Sequence, residues 1–243
     1  MQLEAFCQTD VGCRRDSNED SFLIDESLGL YVVADGMGGH RGGEVASAMA
    51  VETVREVIFK ASTDKRKLSV RQILTAAYAE ASRRIFDRSH NQNPELRGMG
   101  TTLVVAYFVE GTLYIGNVGD SRAYLYAESK LWQLTEDHSL LNRQLRAGLL
   151  AESDIPNFAA KNVITRSVGF EREVDCDIIE RQIQPDDLFL LCSDGLSGMV
   201  EDHSIAQICG QGKPQPVVTR CIEQAKKNGG DDNVTVLALR AMR

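Results

Sequence analysis

Seven acidic residues recur where an apolar, strand-like run meets a turn. They are Glu19 and Asp20 in "RRDSNEDSF", Asp35 in "VVADGMGG", Asp120 in "GNVGDSR", Asp194 in "FLLCSDGL", and Asp231 and Asp232 in "NGGDDNVTV". Any one alone reads as a turn, because Asp-Gly and Asn-rich dipeptides favour turn geometry. Five such junctions in one chain suggest a different reading, since strands of one sandwich present their ends side by side. Carboxylates gathered there repel unless cations hold them. A donor set of hard oxygens with no His or Cys points to Mg²⁺ or Mn²⁺ rather than zinc or copper. The glycines after Asp35 (Gly36, Gly38, Gly39) are expected to let backbone approach a cation or water without a Cβ in the way, and Gly42 and Gly43 to allow a tight helix start or close helix packing.

The elements that position these acids follow from periodicity. "SFLID" and "LYVVA" flank "ESLG", a hairpin signal. Ala46, Ala50, Val54 and Val57 share one helical face, and a second helix starts at Ser69, whose "SVRQ" resembles a capping box, with Val70, Ile73, Ala77, Ala81 and Ile85 on one stripe. Residues 101–134 read as strands turned at Glu110-Gly111, Gly119-Asp120 and Glu128-Ser129-Lys130, hence as a sequential antiparallel run. From Asp137 to Asn162 a short helix stopped by Gly148 and an irregular stretch follow. Strands "CDIIERQI" and "LFLLCS", helices over Asp202–Cys209 and Pro216–Lys227, and the strand "NVTVLALR" complete the chain. Hairpin runs between helices predict an α+β fold: a four-layer α-β-β-α sandwich of two antiparallel sheets flanked by helices.

The chain has 243 residues, 43% of them hydrophobic, enough for one large core. A net charge of −8 argues against a nucleic-acid or anionic-membrane surface. The six cysteines form no CxxC pair, which suggests a reducing compartment, and no apolar run reaches membrane-spanning length. A cytoplasmic monomer without nucleic-acid or membrane partners is expected.

"RDSNED", "VVADGMGG", "MGTTL", "NVGDSR", "LTEDHS", "VITRSVG", "LLCSDGL" and "DDNVTV", in this order and at these intervals, resemble the bacterial PPM-family metal-dependent serine/threonine protein phosphatases, the type 2C group. The likeness runs from Thr9 to Leu239 and implies a single catalytic domain over residues 1–243, with a flap subdomain at about 137–165. It implies two tightly bound Mg²⁺ or Mn²⁺ ions and a weaker third. By position, Asp35 resembles the carboxylate bridging two ions, Gly36 a backbone carbonyl ligand, and Asp194 and Asp232 the other direct ligands. Glu19 and Asp20 resemble the acids that hold the second ion and its waters. Asp120 resembles a ligand of the third ion, shared with Asp194, and Arg15 the arginine that grips substrate phosphate. Asp231 is left as a turn residue.

The implied reaction is hydrolysis of phosphoserine and phosphothreonine in proteins by a metal-activated water, opposing a serine/threonine kinase, with the kinase's targets and forkhead-associated domain proteins as partners. A catalytically inactive phosphoprotein-binding scaffold of the same fold is the rival reading. Met37 stands where relatives often carry a histidine, so the proton for the leaving alkoxide falls to His40 or to a bound water, against a plainer reading of His40 as a surface residue. Asn233 and Asn117 are candidates to orient the ligands, His138 to hydrogen-bond at the base of the flap, and Cys192 to fill core space. Thr101 and Thr102 admit a plain reading as strand formers.

Overall fold

The computed structural model describes residues 2–39, 42–64, 68–91, 94–160 and 163–242. Along these the chain runs β1 (Leu3–Asp10), β2 (Asp20–Asp25), β3 (Leu30–Met37), α1 (Gly42–Thr63), α2 (Val70–Asn91), β4 (Gly100–Thr101), β5 (Leu103–Val109), β6 (Thr112–Val118), β7 (Arg122–Ala127), β8 (Lys130–Gln133) and α3 (Leu140–Arg146). It continues through β9 (Asp177–Gln182), β10 (Leu188–Cys192), α4 (Asp194–Ser197), α5 (Asp202–Cys209), α6 (Pro214–Lys227) and β11 (Val234–Ala241). The strands form two sheets, ordered β1-β11-β10-β7-β8 and β2-β3-β5-β6-β9, with β4 on the end of β3.

Two-residue alternation along the strands builds the layers. On β3, Leu30, Val32 and Ala34 face α1 and α2, together with Leu103 and Val105 of β5. The intervening Tyr31 and Val33 turn inward, with Val104 and Ala106, to meet Phe189, Leu191, Leu237 and Leu239 of the other sheet. Leu188, Leu190 and Cys192 of β10 and Val234, Val236 and Ala238 of β11 then face α4, α5 and α6. This is the expected α-β-β-α sandwich. Each fully buried side chain of this kind contributes roughly 1.5–3 kcal/mol against the entropy of ordering the chain.

The helices form where their patterns place them. Ser69 and Gln72 exchange capping bonds: the Ser69 amide donates to Gln72 Oε1 at 2.9 Å and the Gln72 amide to Ser69 Oγ at 3.3 Å. Glu110-Gly111 and Glu128-Ser129 are genuine two-residue hairpin turns, with φ of 49°, 84°, 51° and 61°, left-handed at both positions as the strand twist demands.

Two expectations change, and one strand is added. Gly119-Asp120 is no hairpin turn: β6 and β7 lie in different sheets, and the turn carries the chain from one to the other. The added strand, β1, is an edge strand paired with β11 along its whole length, with Leu3, Ala5 and Cys7 turned to the inner core. α6 starts at Pro214, two residues earlier than the pattern suggests, with proline in its first turn where the missing N–H costs nothing.

The glycine cluster also divides. A Cβ on Gly36 would lie 2.1 Å from the Gly43 carbonyl oxygen, so strand β3 and helix α1 meet backbone to backbone. Gly39 has open space where its Cβ would stand, so steric approach does not require a glycine there. Gly36→Ala is therefore expected to cost about 3 kcal/mol or more by overpacking, and Gly39→Ala to stay within about 0.5 kcal/mol of wild type. Chemical denaturation midpoints check both; equal effects would contradict the packing account.

Candidate active site

The topology sets the acids at one end of the sandwich. In the β2–β3 pair Asp20 is directly opposite Asp35. Asp194 opens α4 immediately after β10, and Asp232 precedes β11, which runs antiparallel to β10. Asp120 rides the β6–β7 crossover. Arg15, Glu19, Asp35, Gly36, Asp120, Asp194, Asp232 and Asn233 all line one cleft of about 750 Å³. Asp20 stands behind them, buried, and His40 lies outside the described residues.

Asp20 joins the two sheets at this end. Its Oδ2 accepts from Ser193 Oγ at 2.9 Å and from Thr235 Oγ1 at 2.6 Å, both on the opposite sheet's elements. Its Oδ1 has no partner, nor do Oδ1 of Asp120 and Oδ1 of Asp194, each buried. Orphan buried carboxylate oxygens are costly unless a ligand or cation satisfies them. The donors are all hard oxygens and fit Mg²⁺ or Mn²⁺. Among the described residues no three Asp, Glu, His or Cys side chains are grouped closely enough to hold a cation by themselves. The remaining positions around an ion would fall to water and backbone oxygen, as Mg²⁺, which dehydrates reluctantly, usually requires.

Burial and then mutual repulsion raise these carboxyls. Burial first, then Asp20, Asp194, Asp120 and Asp232, push the Asp35 carboxyl well above the usual range. Asp20 rises to about 7, chiefly by burial, with its Thr235 and Ser193 hydrogen bonds opposing the shift. Asp120 rises to about 7 through burial and then through Asp194 and Asp137. Asp194 is raised by burial and Asp232, and Glu19 by burial ahead of the opposing pull of Arg15.

The surrounding bonds fix the acidic loops. Arg15 Nη2 donates to Asp232 Oδ2 at 2.7 Å. Asn233 ties the loop after β1 to β11, donating from Nδ2 to the Val11 and Ser17 carbonyls at 3.0 and 2.9 Å and accepting the Glu19 amide at 2.8 Å. The Asp35 amide donates to Thr102 Oγ1 at 2.9 Å, and Thr101 Oγ1 donates to the Asp35 carbonyl at 2.8 Å. Thr101 and Thr102 are thus more than strand formers. Ser193 and Thr235 escape the sequence reading, although a polar residue in an inward slot of the apolar run "VTVLAL" is a usable signal. The opposite wall includes Ile164, Arg166, Phe170 and Glu173. Residues 140–163 leave and rejoin the body at a narrow neck, where the Leu140 amide donates to the Val163 carbonyl at 2.8 Å and the Thr165 amide to the His138 carbonyl at 2.7 Å. His138 thus sits at the base of the segment read as a flap.

The raised carboxyls make stability depend on pH. Asp20 and Asp120 hold protons up to about pH 7 when folded, whereas an unfolded aspartate loses its proton near ~3.9. The native state binds more protons between those values, so stability falls as pH rises through that window. The melting temperature of chelator-treated protein is expected to drop from pH 5 to pH 8. A flat or rising profile would contradict the reading of these acids as uncompensated.

Residues 13–235 match the family model described as Protein phosphatase 2C. The serine/threonine phosphatase stp of Listeria monocytogenes is 37% identical over 239 residues, covering 97% of this chain and 94% of that one. Protein phosphatase PhpP of Streptococcus pneumoniae is 34% identical over 238 residues and 96% of each chain. Among solved structures, the Mycobacterium tuberculosis serine/threonine phosphatase PstP/Ppp superposes with a TM-score of 0.91 at 31% identity over 100% of both chains. A PstP catalytic domain in complex with two manganese ions gives 0.88 at 31% identity over 99% of each. Likeness in sequence and in fold spans nearly the whole length, and the chain belongs to the protein phosphatase 2C family.

Proposed function

We propose that this protein hydrolyses phosphoserine and phosphothreonine in protein substrates with the help of two divalent cations, Mg²⁺ or Mn²⁺. The observation that carries the reading is the set of buried carboxylate oxygens without partners, those of Asp120 and Asp194 in the same cleft as Arg15 and that of Asp20 behind it. In this reading Asp35, at the centre of the repulsion, Asp194, Asp232 and the Gly36 carbonyl would hold the two ions, with Glu19 and Asp20 supporting the second and its waters. Asp120 and Asp194 would hold a third, weaker ion. The ions would supply positive charge for the phosphoryl oxygens and lower the pKa of the attacking water.

The chain's own groups do the rest. Arg15 uses one nitrogen on Asp232 and keeps its other donors for two phosphate oxygens, a planar fork that lysine cannot reproduce. Asp232, itself held by the Asn233 amide donating to its Oδ1 at 2.8 Å, fixes the direction in which that guanidinium points. Asp20, bound by Ser193 and Thr235, holds the sheet ends together while leaving one oxygen for a ligand. Asp35, Asp194 and Asp232 all stand in the cleft, which speaks for an enzyme rather than an inactive scaffold.

The physiological role that follows is antagonism of a bacterial serine/threonine kinase, with its targets, forkhead-associated domain proteins among them, as substrates. The segment at about 137–165 acts in this reading as the flap that meets the substrate protein. The six free cysteines suit a reducing, cytoplasmic setting, and no helix among the described residues is long and apolar enough to cross a membrane.

p-Nitrophenyl phosphate hydrolysis tests the chemistry. Activity is expected with Mn²⁺ or Mg²⁺, to vanish with chelator, and to fall by about 10²–10³-fold or more in Asp35→Asn and Asp194→Asn, the scale of losing a group that stabilises transition-state charge. Folded, metal-supplied wild type without turnover would move the reading to the scaffold.

A further inference from the structure

His138 stands where the acidic cleft, its opposite wall and the neck of residues 140–163 meet, and the hydrolytic chemistry gives it no task. The residue is only 8% exposed. Its ring Nδ1 accepts the Gly119 amide at 3.0 Å, and its own amide donates to the Gly119 carbonyl at 2.9 Å. Both backbone polar groups of Gly119 therefore end on one residue, and the next residue is Asp120. Gly119 itself has little latitude: its φ is +105° and a Cβ there would lie 2.7 Å from Thr102 side-chain atoms.

The other side of the ring completes the link. With Nδ1 accepting the Gly119 amide, the proton sits on Nε2, which donates to Asp177 Oδ2 at 3.0 Å, so Arg166 Nη1, 3.1 Å from that nitrogen, is not hydrogen-bonded to it. Arg166 Nη1 donates to Asp177 Oδ1, also at 3.0 Å, so the two oxygens of one carboxylate orient His138 and a residue of the cleft wall together. The His138 carbonyl accepts the Thr165 amide at the neck. One side chain and its backbone thus join the Asp120 turn, the neck and Arg166.

We propose that His138 is the positioning residue for Asp120: by holding both polar groups of Gly119 it sets where the Asp120 carboxylate stands, and through Asp177 it ties that setting to the substrate-facing wall. The proposal rests on the metal-dependent reading above. A histidine that merely fills space would not change one cation-binding event selectively.

Calorimetric titration of Mn²⁺ into the metal-free full chain separates these. Asp120→Asn is expected to weaken one binding event, the weakest. His138→Ala, or His138→Phe if the cavity prevents folding, is expected to weaken that same event by about 10–100-fold, the range seen when a partner behind a metal ligand is lost, and to leave the tighter events unchanged. Combined with Asp120→Asn it should add nothing further. His138→Asn, whose amide oxygen can take the place of Nδ1 as acceptor for Gly119, should restore part of the loss. If neither His138 variant folds, Asp177→Asn carries the test: a weakened weakest event supports the proposal and an unchanged one overturns it. A folded His138 variant with the wild-type isotherm, or losses that add to those of Asp120→Asn, would overturn it too. Wild type that takes up no Mn²⁺ overturns the metal-dependent reading beneath it.

Discussion

Like charges that converge at the buried end of a β-sandwich need positive charge between them, and this constraint organises the molecule. Two carboxylates ~4 Å apart repel by about 4 kcal/mol at an effective dielectric of ~20. Asp35 is raised by Asp20, Asp194, Asp120 and Asp232 together, on top of its burial. Among the described residues Arg15 lines the acidic side and reaches Asp232, and its pull on Glu19 and, with Arg122, on Asp194 does not cancel their rise. Such an arrangement destabilises the fold locally, so its use lies in what it can bind.

The scaffold is arranged to bear that strain. Asp20 and Asp35 face each other across a strand pair on one sheet, while Ser193 and Thr235 reach to Asp20 from the other. The same residue that adds charge to the site therefore closes the open end of the sandwich. Thr101 and Thr102 hold the backbone of Asp35 from β4 and its neighbour, and Gly36 lets α1 seat against the strand end. Motion of any one of these elements would change the spacing of the acids, which ties packing to chemistry. The Asp120 turn differs, since it hangs between sheets and takes its support from His138 and from the Ser121 hydroxyl bound to Thr102 Oγ1 at 2.7 Å.

Much of this was legible in the chain because its signals are local. The acids announce themselves by sitting at strand ends beside Gly or Asn, α1 and α2 by their buried stripes, and the hairpins by Glu110-Gly111 and Glu128-Ser129. The losses have a common cause: they depend on contacts distant in sequence. β1 is strand-like only because β11, more than two hundred residues on, offers it a partner. Nothing in "NVGDSR" distinguishes a hairpin turn from a passage between sheets, since both need a left-handed glycine. Ser193 and Thr235 look like ordinary strand-end residues until the sandwich closes over Asp20. Gly39, read as permissive for a close approach, proves to face open space.

The most direct test of the central claim is the equilibrium stability of wild type and Asp35→Asn at pH 8, each with chelator and with Mn²⁺. If the acids are held in mutual repulsion for the sake of cations, removing the most crowded one relieves a cost whether it is met by ionising or by keeping a proton. Asp35→Asn should then be more stable than wild type in chelator, by on the order of 1–3 kcal/mol as for other unpaired buried charges removed, and should lose most of the gain that Mn²⁺ gives wild type. A variant that is less stable than wild type in chelator, or that gains as much from Mn²⁺, would contradict the account.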